Sequence, residues 1–277
     1  MYIELDDFRQ SYVVAKNEIR KFIRGKRFMA YVILIALIFA LITIFPYLLG
    51  GNIGETPGDV VASYVSAMPF MIVLAATLFA SVVIVSEFEE RTALILFTRP
   101  LKKTSIFVGK VLGCILLETV MIVLFYAGIV LVSLIAEGGV SSGLLVSLGM
   151  AFLYTVAASG VAVFISSVMK KGVLSAILVF FLLLMILPLI SGLISASIDP
   201  WFMINQSSDA ISTCIPAYVD RMNEQLQNLI DRWGLPPEMF ENMMITAPDM
   251  AKAVGTMVGW SIVSMVLAWI AFIRREF

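Results

Sequence analysis

Apolar residues gather along the chain into six long runs separated by polar stretches: Phe28–Leu49, Val61–Ser86, Ile106–Ala136, Leu144–Met169, Val173–Ile198 and Ala251–Ile273. A hydrocarbon layer about 30 Å thick is crossed by about 20 apolar helical residues. Each run meets that length, and none carries more than two charged residues. Backbone groups in lipid must be paired within their own segment, so each run is expected to be a helix. Pro69 and Pro188 fall inside the second and fifth runs, where proline is tolerated and kinks the helix. The third run is long, which places its first turn, up to Lys110, at the interface. The first run follows a charged segment and is longer than the apolar core of a signal peptide, so it reads as a permanent span. The expected fold class is an all-α integral membrane protein. Residues 1–277 form a single domain of six transmembrane helices.

Two further stretches are amphipathic. Phe8, Tyr12, Ala15, Ile19 and Phe22 recur at helical spacing, with Arg9, Lys16, Arg20 and Arg24 off the stripe. Residues 1–27 therefore predict an interfacial helix lying on one membrane face, although the pattern also suits a helix packed on a partner. In the long segment 199–250, Tyr218, Met222, Leu226, Leu229 and Trp233 form a second stripe, ended by Gly234, Pro236 and Pro237. The same segment holds the glycosylation sequon Asn205-Gln206-Ser207. Gly139, Gly143, Gly149, Gly160 and Gly172, with Ser159, Ser166 and Ser167, surround the fourth run. Small residues let helices approach closely in lipid, so this run is expected to be tightly packed.

Composition sharpens the membrane reading. Sixty per cent of the residues are hydrophobic and 14% charged, against about 45–50% and about 25% in soluble domains. All of the 19 cations except Arg221, Arg232 and Lys252 fall in the segments on the side of the two termini. By the positive-inside rule both termini are cytoplasmic and residues 199–250 extracytoplasmic, in a multi-pass plasma-membrane protein. A net charge of −1 gives no bulk basicity for a nucleic-acid partner. Histidine is absent, which excludes a His-Glu-x-x-His metalloprotease. The spans hold no aspartate for an aspartyl protease and no deep lysine for a serine one. No phosphate-cradling Gly-x-x-x-x-Gly-Lys-Ser/Thr loop occurs, and Gly109-Lys110 lacks the earlier glycine and the hydroxyl residue. Cys114 lies in an apolar run and Cys214 in a polar loop, so no disulfide is expected. The methionines of the outer segment (Met203, Met222, Met239, Met243, Met244 and Met250) form no Met-x-x-Met array. They read as packing residues rather than a copper site, so no metal is expected.

The most informative polar segment joins the second and third runs, residues 87–105. Acids lead (Glu87, Glu89, Glu90), followed by Arg91, Thr92 and an apolar turn containing Leu94, Ile95 and Phe97, then Arg99, Pro100, Lys102 and Lys103. Acids at the start and bases at the end suit a short helix, and Pro100 ends it. Such a helix at the membrane surface presents Leu94, Ile95 and Phe97 to another protein; the plainer reading is a charged turn anchoring two spans.

This segment resembles the signature region of permease subunits in the ABC-2 family of ATP-binding-cassette transporters. The matching residues are Glu87, Glu90, Thr92, Leu94, Pro100, Lys102, Gly109 and Lys110, and the terminal stretch 260–277 resembles that family's last span. Arg99 departs from the small residue more usual there. The resemblance implies a permease subunit of an ATP-driven transporter, an exporter. Its partners would be a separate ATPase subunit carrying ATP and magnesium and a second permease half, a copy of itself or a similar chain, in membrane lipid. It further implies that Glu87, Glu89, Glu90, Arg91, Thr92, Leu94, Phe97, Arg99, Lys102 and Lys103 contact the ATPase. No cofactor and no catalytic residue is expected on this chain. Glu118 is the one acid well inside a span, and intramembrane carboxylates are often functional. It would face a dimer interface or substrate path, or lie near enough to the interface to reach water or Lys110. The competing reading is a stand-alone ion-coupled secondary transporter, for which Glu118 would be the coupling group.

Overall fold

The computed structural model describes residues 2–54, 56–89, 102–195, 197–233 and 244–275. Among them the regular structure is helical: α1 (Tyr2–Ile23), α2 (Lys26–Leu48), α3 (Pro57–Val65), α4 (Met68–Leu78), α5 (Val85–Glu89), α6 (Lys103–Glu137), α7 (Leu144–Val168), α8 (Gly172–Phe181), α9 (Leu187–Ser195), α10 (Ile204–Ser208), α11 (Ala210–Thr213), α12 (Pro216–Trp233) and α13 (Met250–Arg274). Six stretches are long and apolar enough to cross a membrane: Lys26–Leu48, Pro57–Glu89, Lys103–Glu137, Leu144–Val168, Gly172–Ser195 and Met250–Arg274. Each coincides with one of the six apolar runs.

Local chemistry sets the ends. The second span starts at Pro57, because Thr56 and Asp59 form a capping box and Pro57 occupies the first turn. Gly138, at φ +66, takes the left-handed conformation that closes α6. Asp249 accepts from the backbone N–H groups of Ala251 (3.1 Å) and Lys252 (3.3 Å) and so caps α13. These hydrogen bonds to its charged form hold its carboxyl below the ordinary value.

The prolines do different things. Pro69 sits in the first turn of α4, where its missing N–H is no loss, directly after the second span is interrupted between Val65 and Met68. Pro188 lies just past a π-helical turn, Leu182–Ile186, which separates α8 from α9.

Burial separates spans that hydropathy does not. The second span's most apolar stretch is 78% buried inside the protein, the first span's only 6%, at mean hydropathies of 2.5 and 2.9. The second and fourth spans thus form the centre, and the first turns its side chains to lipid. Aromatic rings fill the gaps. Phe79 meets Phe22 and Tyr31 edge-on at 5.5 and 5.7 Å. Phe39 lies between Tyr64 (4.9 Å) and Phe125 (4.8 Å), and a Cβ on Gly128 would come within 2.6 Å of the Phe39 ring. The most extensive pairing joins α7 and α13, where Gly160 leaves room for Ser264. Gly143 admits the Cys214 carbonyl, whereas Gly149 faces open space.

The next most extensive pairing is α1 with α6, and it splits the N-terminal stripe. Ala15 and Phe22 are buried, with Ser11 and Glu18 beside them, while Phe8 is 75% and Tyr12 62% exposed. Gly109 and Gly113 are the cause. A Cβ at either would lie 2.6 Å from the Ser11 carbonyl oxygen or 2.8 Å from that of Ala15. Helix α1 therefore docks in a groove on α6. It turns Phe8, Tyr12 and Ile23 outward beside exposed Arg9, Lys16 and Arg20. Lys110 is covered by this helix rather than open at an interface.

The long segment 199–250 is less separate than its polarity suggests. Ile204, Ala210, Ile211 and Ile215 are buried in the end of the bundle. Ser147 donates to the Ile211 carbonyl at 2.6 Å, and Trp260 Nε1 to that of Phe202 at 2.9 Å. Of the α12 stripe, Leu229 and Trp233 are exposed, and Ile230 is the residue that is buried.

Candidate functional site

The two ends of segment 87–105 are fixed to the bundle at the end that carries both termini. Lys110, its side chain only 4% exposed, places Nζ 2.8 Å from Glu18 Oε2 and 2.8 Å from Glu87 Oε1. Lys21 joins Glu87 at 3.3 Å. This buried cluster ties α1, α5 and α6 together, and removing one member would strand the others' charges. Glu89 accepts from the Gly172 N–H at 2.8 Å, at the N-terminus of α8, where the helix dipole favours an anion. Phe88 lies under the Arg275 guanidinium, 3.8 Å from the ring centroid. Arg275 also donates to the carbonyls of Ser167 (3.1 Å) and Met169 (2.7 Å) at the C-terminal end of α7, satisfying acceptors that a helix end leaves open. Burial lowers its pKa from the ordinary value. On the exit side, Lys102 Nζ meets Asp7 Oδ2 at 2.5 Å, and Ser11 Oγ donates to the Ser105 carbonyl at 3.2 Å.

Of the residues expected to contact an ATPase, Glu87, Glu89, Lys102 and Lys103 are described. Glu87, Glu89, Lys102 and Lys103 all have partners within the chain, and Lys103 opens α6. Glu90, Arg91, Thr92, Leu94, Phe97 and Arg99 lie outside the described residues.

Directly above α5 the second span is broken. Helix α4 stops at Leu78, a 3-10 turn covers Ala80–Val82, and α5 begins at Val85. Side chains from three other helices take up the backbone groups there. Ser166 of α7 accepts from the N–H groups of Ile84 (3.2 Å) and Val85 (3.1 Å). Ser175 of α8 donates to the Ser81 carbonyl at 2.5 Å. The Ala80 N–H faces the Glu118 carboxyl of α6. Glu118 is fully buried and also accepts from the Ser159 hydroxyl and, at 3.4 Å, the Cys114 thiol. It reaches neither water nor Lys110. It does not line the cavity at the far end either. Its position makes it a clamp on the broken span. In lipid such a break persists only where side chains supply these hydrogen bonds.

The far end holds a cavity of about 930 Å³ between the second span, the fifth span and residues 199–253. Phe70, Tyr154, Trp201, Asn205, Ser207 and Asp209 are among its walls. Asp209 keeps an exposed edge, but the cavity wall around its carboxyl displaces enough water to push it up to about 6, and burial with the Asp209 charge raises the neighbouring Tyr218 phenol. Cys114 and Cys214 are both free thiols. Among the described residues no three His, Cys, Asp or Glu side chains gather as a metal site.

A helical bundle whose two most ordered charge clusters bracket the joint between its second and third spans is one of many possible membrane designs. The sequence decides among them: the profile of the ABC-2 family transporter proteins matches residues 12–277. The chain belongs to the ABC-2 transporter family. Comparison with curated proteins gives no match. An ABC-2 permease is the non-catalytic membrane subunit of an ABC transporter, and the multi-pass bundle agrees with that role. The matched region starts within α1 and runs to the last residue, so the Lys110 and Arg275 clusters and the broken span lie inside it, and Asp7 and Ser11 lie before it. The family pattern pointed to Glu87 and Lys110. It did not point to Glu18, Ser166 or Arg275, whose partners lie between 81 and 187 residues away in sequence.

Proposed function

We propose that the chain is the pathway-forming half of an ATP-driven exporter, coupled through residues 87–105 to a separate ATPase subunit that carries ATP and magnesium. The termini, residues 1–27 and residues 87–105 lie in the cytoplasm, and residues 199–250 outside the plasma membrane. The observation that carries the reading is the mounting of the coupling segment. Its entry is anchored by Glu87, Phe88 and Glu89 and its exit by Lys102. A push on residues 90–101 is thereby delivered to α1, to the broken second span and to α8, rather than absorbed by a loose loop. Nucleotide state shifts the access equilibrium only through such a differential contact. Glu90, Arg91, Thr92, Leu94, Phe97 and Arg99 supply the outward contacts to the ATPase, with Lys103 beside them. The apolar side chains that the first and fifth spans turn outward, such as Leu37, Leu41 and Leu193, suit lipid and a second permease half, a copy of this chain or a similar one.

The test is a gentle-detergent pull-down of the tagged chain, with mass spectrometry for an ATPase bearing a phosphate-binding loop. Recovery of that ATPase, and its release by Leu94→Asp with the bundle still inserted, supports the reading. A chain that comes down alone and moves solute without ATP overturns it in favour of an ion-coupled secondary transporter.

A further inference from the structure

The far-end cavity has a charge and polarity balance that the packing of the bundle does not need. Among the described residues three carboxylates line it, Asp199, Asp209 and Asp249, against one cation, Lys252. Lys252 is held 3.5 Å from Asp249, and both are more than half exposed, so this pair is screened by water. Asp199 and Asp209 make no ion pair among the described residues. Arg221, the next cation, donates to Ser63 Oγ at 2.6 Å and is not part of the wall.

Two further atoms are left over. Asn205 Oδ1 and Ser207 Oγ are buried without a hydrogen-bond partner, and both residues line the cavity. Ser207 is only 3% exposed. A buried acceptor without a donor costs about 1–3 kcal/mol, so a fold that keeps two beside one cavity leaves places for a donor-bearing ligand. The walls opposite are aromatic and aliphatic: Phe70, Trp201 and Leu183. Acceptors, carboxylates and ring faces together match one chemistry, a cation with N–H donors and an apolar body.

We propose that this cavity binds an organic ammonium ion, a molecule with a protonated primary or secondary amine on an apolar body. Asp209 holds the charge, Asn205 and Ser207 accept from the ammonium hydrogens, and Phe70 and Trp201 flank the apolar part. On the proposed function this ligand is the cargo at the outer mouth of the pathway; the binding itself does not depend on that reading. The groups around Asp209 are Tyr154 from α7, Tyr218 and Arg221 from α12, and Asp199, Asp249 and Lys252 on the cavity walls. The Asp209 carboxyl, pushed up to about 6, is the group whose charge the proposal uses, so ammonium binding rises as pH passes upward through that value.

The experiment is fluorescence titration of the purified full chain in detergent with dansylcadaverine, a labelled primary amine, and with its uncharged N-acetyl derivative. At neutral pH the amine should bind saturably and about tenfold or more tightly than the acetyl form, the worth of one charged hydrogen bond. Asp209→Asn should erase that difference and leave the acetyl form unchanged, and Asn205→Leu should weaken the amine alone. At about pH 5, where the Asp209 carboxyl is protonated, the wild-type preference should fall in the same direction. Equal binding of the two probes is partition into the micelle and overturns the proposal. So does a preference that survives both Asp209→Asn and Asp199→Asn. If Asp209→Asn fails to fold, the exposed Asp199→Asn and the pH series carry the decision. No ATPase is present in the assay, so its failure leaves the coupling reading standing, and a failed pull-down leaves this one standing.

Discussion

At the end that bears the termini, Lys110 sits 2.8 Å from two carboxylates and Arg275 spends its donors on the end of α7. At the far end, Asp209 and the acceptors of Asn205 and Ser207 surround an open cavity unpaired. The contrast teaches what each end is organised for. Charges paired across three helices resist relative movement, because separating them exposes each to a poorly solvating interior. Charges left around an open volume keep their capacity for something that arrives and leaves. The ordering is not perfect, since Glu18 leaves its Oε1 unpartnered, yet its other oxygen is held by Lys110.

The strongest attack on this comparison is Lys110→Met. It leaves Glu18 and Glu87 buried beside an apolar side chain, at a cost of about 3–5 kcal/mol. Thermal unfolding in detergent should show a large drop in midpoint, and adding Glu18→Gln and Glu87→Gln should recover most of it. An unchanged midpoint in Lys110→Met would mean that the cluster holds nothing together. Glu118→Gln comes next. The amide oxygen still accepts from the Ser159 hydroxyl, so the loss is about 0.5–1.5 kcal/mol, the net worth of one hydrogen bond. Transport measured with ATP should survive the substitution. A carrier that moves protons through Glu118 would instead stop, and the clamp assignment would fall with it.

The smallest effect lies at the far end. Asp209 in the folded chain is pushed up to about 6 from an ordinary 3.8, so the folded state disfavours its charged form. Below about pH 4 the group costs nothing. Stability is lost as pH rises from about 4 to about 6, and stays lower above that. Midpoints recorded across this range should slope downward by a small amount in wild type and lie flatter in Asp209→Asn. A slope of equal size in the variant would assign the titration to another group.

Much of this fold was legible because spanning a membrane is a one-dimensional requirement. Six runs sufficed to find six spans, with ends that agree to within a few residues. The largest early shift, the second span's start at Pro57 rather than Val61, had its own signal in Thr56, Pro57 and Asp59. The acid, apolar and basic order of segment 87–105 carried the family resemblance, and the family match covers it. Other features were hidden. The break at residues 79–84 contains neither proline nor glycine; it exists because Ser166 and Ser175 supply hydrogen bonds from other helices, with Glu118 beside them. The face by which α1 docks was misplaced for a similar reason. Its apolar stripe marks the outward side as much as the packed one, and the groove that receives it is cut by Gly109 and Gly113 on α6.

By itself the sequence determined the six helices and the family to which the chain belongs. Those rest on hydropathy, charge counts and a local motif, all of which are sums over neighbours in the chain. The tertiary structure decided which spans lie at the centre, where Glu118 points and that the polar segment 199–250 folds into the bundle around a cavity. The physical reason is that apolar side chains lose nothing by facing lipid instead of protein. Hydropathy therefore leaves the arrangement of spans open, and it is settled by glycine contacts, ring packing and hydrogen bonds between residues remote in sequence.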